Sequence, residues 1–118
     1  MPTWLLVQAE LRFKENFRPV FPKDYRPNLV AEEESGTHYG MHFVAAPARI
    51  DPGDRVIVDL VFRPFPQDAC AAFQRGTKVF LKDGPLTRAE GTIIRRWEHE
   101  SPGNLNDLRQ ELAPGSFQ

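Results

Sequence analysis

Apolar and polar side chains alternate along most of this chain. From Trp4 to Lys14, Leu5, Val7, Ala9, Leu11 and Phe13 share one parity, and Leu6, Gln8, Glu10, Arg12 and Lys14 the other. A two-residue period sends the two sets to opposite faces of an extended chain, so the segment predicts a long strand with one buried face. The period returns from His38 to Ala46, with Tyr39, Met41, Phe43 and Ala45 aligned, and from Arg55 to Arg63, with Val56, Val58, Leu60 and Phe62 aligned. Thr77 to Lys82 and Ala89 to Trp97 predict two more strands, and Asn28 to Ala31 a short one. Pro19, Pro22 and Pro27 make residues 15–27 loop or edge, because each proline removes a backbone donor and fixes φ. Asp51-Pro52-Gly53-Asp54 and Asp83-Gly84-Pro85 are turn signals. Residues 68–74 read as an ordered loop.

Six strands at regular spacing without βαβ alternation predict an all-β fold, a sandwich or a barrel of antiparallel strands. Beyond Ser101 the pattern changes. Asn104 is a helix cap, Leu105, Leu108 and Leu112 follow at i, i+3 and i+7, and Pro114-Gly115 ends the run. The expected organisation is one barrel over residues 1–100 and a tail over 101–118 with a short helix.

Composition narrows the function classes. A chain of 118 residues with 41% hydrophobic and 26% charged side chains holds one modest core. The formal net charge of −1 gives no bulk attraction to nucleic acid or to a membrane surface. A single cysteine, Cys70, excludes an internal disulfide and a cysteine-based zinc cluster. No run approaches the ~18 apolar residues of a membrane span, and no basic segment precedes an apolar N-terminal run. The expectation is a soluble, cytoplasmic protein with no membrane partner.

Residues 75–96 carry the clearest charge asymmetry. Arg75, Lys78, Lys82, Arg88, Arg95 and Arg96 stand against Asp83 and Glu90, six cations to two carboxylates, in a chain of net −1. Lys78, Phe80 and Lys82 share the outward parity, and an exposed ring between two cations can stack a nucleobase. The plainer reading is a solvated face whose lysines protect a sheet edge. His38 and His42 lie four residues apart on one strand, about 13 Å, too far to share a metal with ligand bonds of ~2 Å. Cys70 sits among Ala69, Ala71 and Ala72, with no base nearby, and reads as a buried small residue. Glu32-Glu33-Glu34 read as a solvated turn. Phe13, Phe43, Phe62 and Trp97 have the inward parity of core residues. Phe17, Phe21, Tyr25, Phe65 and Phe73 fall in loops, where they either cap the ends of the fold or form an interface. No catalytic residue, metal ligand or cofactor site emerges, so the chain reads as non-enzymatic.

Several segments, in this order, carry a family resemblance. They are the first strand (Val7-Gln8-Ala9-Glu10-Leu11), the Tyr25-Arg26-Pro27 triplet, and Pro52-Gly53-Asp54 before a strand ending at Arg63-Pro64. Val79-Phe80-Leu81-Lys82-Asp83-Gly84 follows, then Thr87 and Gly91. Over roughly residues 5–98 the chain resembles the C-terminal β-barrel, the third domain, of elongation factor Tu and related translational GTPases. The resemblance implies a six-stranded antiparallel barrel that docks on another protein domain, and in that family also on the T stem of tRNA. It places Lys82, Asp83, Gly84 and Thr87 on the family's terminal hairpin, with Leu86 where the family has an arginine and Arg88 two residues on. No phosphate-binding loop of the family's GTPase domain is present, so no nucleotide is expected. The turn that carries tRNA contacts in the family reads Glu32-Glu33-Glu34 here, and carboxylates oppose phosphate. The first expectation is therefore protein–protein interaction, with a translation-related partner or a second copy of the chain. The second is RNA or tRNA binding through the basic hairpin 75–96. The candidate surface is Lys78, Phe80, Lys82, Gly84, Thr87, Arg88 and Arg96, with Tyr25 and Arg26 as loop contacts.

Overall fold

The computed structural model describes residues 3–31, 36–62 and 72–117. The strands are β1 (Thr3–Phe13), β2 (Asn28–Val30), β3 (Tyr39–Ala45), β4 (Arg55–Phe62), β5 (Lys78–Asp83) and β6 (Leu86–Glu100), followed by helix α1 (Leu105–Leu112). They close into an antiparallel barrel in the order β1-β4-β3-β2-β5-β6, with β6 returning to β1. Among the described residues, closure leaves no free sheet edge, which removes the usual template for edge-to-edge aggregation. The acidic run Glu32-Glu33-Glu34, together with Arg63, Pro64, Phe65 and Cys70, lies outside the described residues. Among the described residues, no helix is long and apolar enough to cross a membrane.

The alternating apolar residues fill the barrel. Leu5, Val7, Ala9 and Leu11 of β1 meet Met41, Phe43, Val58, Leu60, Phe62, Val79 and Leu81 in one core. Phe73, expected in a loop, is fully buried there; its ring lies 5.1 Å from Phe62 and 5.5 Å from Tyr39. Turn chemistry follows the sequence. Gly53 takes φ +85° behind Pro52, and the Asp54 N–H donates to Asp51 O at 3.1 Å, a type II turn. At the β5–β6 hairpin Gly84 takes φ +59° and Pro85 follows, the arrangement of a type II′ turn.

Three β-bulges interrupt the alternation. Opposite Gln8 and Ala9, strand β6 pairs through Arg95 and then Ile93, leaving Ile94 as the extra residue. Past that point the parity flips, and this corrects the expectation for Trp97. It faces outward, paired with Leu6, and not into the barrel core. A second bulge at Val44 moves Ala45 opposite the outward Asp59. The third places Arg88 between the pairs Leu81–Ala89 and Lys82–Thr87.

Helix α1 explains why an outward residue such as Leu6 is apolar. Leu6, Val44, Val61 and Leu108 form a second, smaller core on the outer wall, flanked by Trp4, Trp97, Leu105 and Leu112. A capping box starts the helix. The Asp107 N–H donates to Asn104 Oδ1 at 3.0 Å, and the Asn104 N–H donates to Asp107 Oδ2 at 3.1 Å.

Candidate functional site

The hairpin residues diverge. Val79 and Leu81 point into the core, so Lys78, Phe80 and Lys82 do point outward, as their parity predicts. Phe80 is nevertheless only 8% exposed and Lys82 is buried too, which corrects the expectation of an open aromatic platform between two cations. Lys78 remains exposed, with its Nζ 5.4 Å from the centre of the Phe80 ring. Gly84 is the exposed apex of the turn, and Thr87 pairs with Lys82. Arg96 pairs with Val7, on the opposite side of β6 from Arg95 and Trp97.

Arg88 is committed to the fold. Its bulge position aims it at the 14–27 loop, as bulges commonly re-aim a side chain. One terminal nitrogen donates to Asp83 Oδ2 at 2.9 Å, the other to Arg18 O at 3.1 Å. Its guanidinium lies 4.5 Å from the Phe17 ring centre and 5.7 Å from that of Tyr25. Tyr25 in turn stacks on Phe43 at 6.1 Å and makes a long 3.5 Å contact to Asp83. Burial pushes the Tyr25 phenol above its ordinary range, and the Asp83 charge adds to the push. Tyr25 and Arg88 therefore bind the loop to the hairpin. Arg26 faces a different part of the surface.

The outer wall over β4, β1, β6 and β5 is open. Across it, Ile57, Glu10, Thr92 and Lys78 stand in one register row, and Arg55, Arg12, Glu90 and Phe80 in the next. Ile57 is 57% exposed. A shallow depression of about 370 Å³ lies between Glu10, Arg12, Arg55, Lys78 and Glu90, floored by Gly91 and Thr92. Nearer the helix, Gln8 Nε2 donates to Asp59 Oδ1 at 3.0 Å. Burial raises the Asp59 carboxyl above its usual range, while the Gln8 hydrogen bond and the Arg95 charge oppose the shift. Arg95 stacks over Trp97 at 4.2 Å.

A second concavity, about 660 Å³, opens between the 14–27 loop and α1. Lys23, Asp24 and Arg26 line it from the loop, His42 from β3, and Asn104 to Asn106 and Arg109 from the helix. Sequence reasoning singled out Arg26 but missed its neighbours, because the groove exists only once the helix has docked. Arg109 is the joint. Its Nε donates to Phe43 O at 2.8 Å, a terminal nitrogen donates to Lys23 O at 3.2 Å, and its face covers the Phe117 ring at 4.8 Å. Burial holds this guanidinium below its ordinary range, and Asp24 acts in the other direction.

Ser101, His99 and Glu111 meet where β6 leads into the helix. Ser101 Oγ donates to Glu111 Oε2 at 2.6 Å, and His99 Nε2 lies 3.3 Å from Glu111 Oε1. This is a carboxylate bridging a serine and an imidazole. A hydrolytic arrangement would instead direct the serine hydroxyl at the imidazole. Among the described residues, no cluster of three His, Cys, Asp or Glu side chains is placed to hold a metal ion. Compared with known proteins, the sequence matches no family model, and no curated protein aligns with it significantly.

Proposed function

We propose that this chain is a non-enzymatic protein-binding module, built like the C-terminal barrel of elongation factor Tu and acting in the cytoplasm. Its working face is the open wall of β4, β1, β6 and β5. The observation that carries the reading is the row Ile57–Glu10–Thr92–Lys78, an exposed apolar side chain set among charges of both signs. Interfaces between proteins combine an apolar centre with a polar, charge-complementary rim. RNA binding through residues 75–96 is the weaker reading. Glu10 and Glu90 interleave with Arg12, Arg55 and Lys78 on the wall, so no continuous run of cations tracks a phosphate backbone.

A photo-crosslinking side chain at Ile57, at Thr92 and, as a control, at Gln110 on the helix tests the proposal in native extract. The wall positions should each give the same discrete adduct, lost when Arg12 and Arg55 are changed to glutamate, and Gln110 should give none. An adduct at twice the chain mass identifies a second copy as the partner. Identical labelling at all three positions, or none at any, rejects the wall as a binding face.

A further inference from the structure

We infer that the groove between the 14–27 loop and α1 is an anion site that takes the phosphate group of a small molecule. The groove lies on the β3 side of the barrel, away from the open wall, and does not depend on the protein-binding reading. Three cations line it, Lys23, Arg26 and Arg109, against the single carboxylate of Asp24, a local excess of two positive charges in a chain of net −1. A phosphate monoester near neutral pH carries close to two negative charges.

Arg109 is the group best placed to take an anion, although Asp24 already acts on its charge from within the groove. It is 8% exposed, and among the described residues no carboxylate lies within ion-pair distance of it. Its hydrogen bonds go to two backbone carbonyls, Phe43 O and Lys23 O. These orient the fork without neutralising it, and a guanidinium offers five donors. Buried charge is ordinarily paired, and a planar guanidinium pairs best with phosphate or carboxylate oxygens. Lys23 and Arg26 are exposed on the opposite lip, so they reach an anion seated on Arg109 without first being desolvated. Asn106 adds an amide. Among the described residues, Leu105 is the one apolar side chain in the lining, which favours a small polar ligand over a hydrophobic one. The volume of about 660 Å³ admits a phosphorylated metabolite as well as the free ion.

The full chain is titrated with inorganic phosphate, pyrophosphate and a nucleoside monophosphate, following backbone amide NMR shifts and the unfolding temperature. Sulfate and chloride serve as controls. Saturable shifts are expected at residues 23–26 and 104–109, with phosphate binding below about 10 mM. Tighter binding of the monophosphate than of phosphate points to an organic ligand, and equal binding to the free ion. The double variant Lys23→Ala/Arg26→Ala should weaken binding at least about tenfold without lowering the ligand-free unfolding temperature. Arg12→Ala/Arg55→Ala, on the other wall, should leave it unchanged. No saturable shift, equal response to chloride, or full affinity in the Lys23/Arg26 variant overturns the inference. So does binding confined to a phosphopeptide, which would make the groove part of a protein interface.

Discussion

Gly91 is where β6 and β1 approach most closely. A Cβ built on it would lie 1.7 Å from Glu10 O and 2.8 Å from the carbonyl carbon, inside any van der Waals limit. Backbone cannot swing aside as a long side chain can, so the strands themselves would have to part. Gly91→Ala should therefore cost on the order of 2–4 kcal/mol, read as a lower urea midpoint at unchanged m-value. A loss under about 0.5 kcal/mol would mean that the β1–β6 seam is looser than drawn. Nothing in the alternation marks Gly91 as special, because a close approach belongs to two strands and a period to one. The same gap explains Phe80. Parity gives the direction of a side chain, and it gave outward correctly, but it does not give that side chain's exposure. Arg88 shows the limit again. Its charge was legible in the sequence, whereas its commitment to Phe17, Tyr25, Asp83 and Arg18 follows from a bulge that no single-strand pattern encodes.

At the scale of elements, the strands and the helix were readable because each satisfies a local rule, period 2 or a capping asparagine with leucines at helical spacing. The joint between helix and barrel was not, although Leu6 and Val61 were hints: apolar residues at outward positions need a cover. The cover is α1, and Glu111 clamps it to the end of β6. Hydrogen bonds from Ser101 and then from His99 hold the Glu111 carboxyl below its usual range. A carboxyl with a lowered folded-state pKa contributes stability above its unfolded value, about 4.3, and loses it as pH falls through the lower folded value. Glu111→Gln should thus weaken helix docking at neutral pH, and its difference from the parent should shrink as pH falls below the unfolded value and vanish only below the lowered folded one. The chain's two tryptophans, Trp4 and Trp97, both flank the small outer core, so their emission reports docking directly. A red shift on acidification that precedes loss of the β-sheet signal in circular dichroism is expected. A difference between variant and parent that stays constant from neutral to acid would show that the carboxylate's ionisation is not what holds the helix.

Over the whole molecule, barrel closure determines where charge ends up. The cations of residues 75–96 are close in sequence, but the strands carry them to different places. Lys78 goes to the open wall, Lys82 is buried, Arg88 joins the 14–27 loop, and Arg95 and Arg96 take opposite sides of β6. The local excess of +4 along the chain therefore does not become a basic face, while Lys23 and Arg26 of the 14–27 loop converge with Arg109, some eighty residues further along the chain. Affinity for a nucleic-acid backbone rises with the number of phosphates neutralised together, and each contributes roughly −0.7 to −0.9 to the log–log slope of binding constant against salt. A tRNA titrated at several salt concentrations should accordingly bind weakly, with a slope near −1, the signature of one phosphate seated in one groove. Lys23→Ala/Arg26→Ala should abolish that residual binding, and Lys78→Ala/Arg95→Ala should not. A slope of about −4 or steeper, sensitive to Lys78 and Arg95, would require those scattered cations to act together. RNA would then replace a protein as the proposed partner of the open wall.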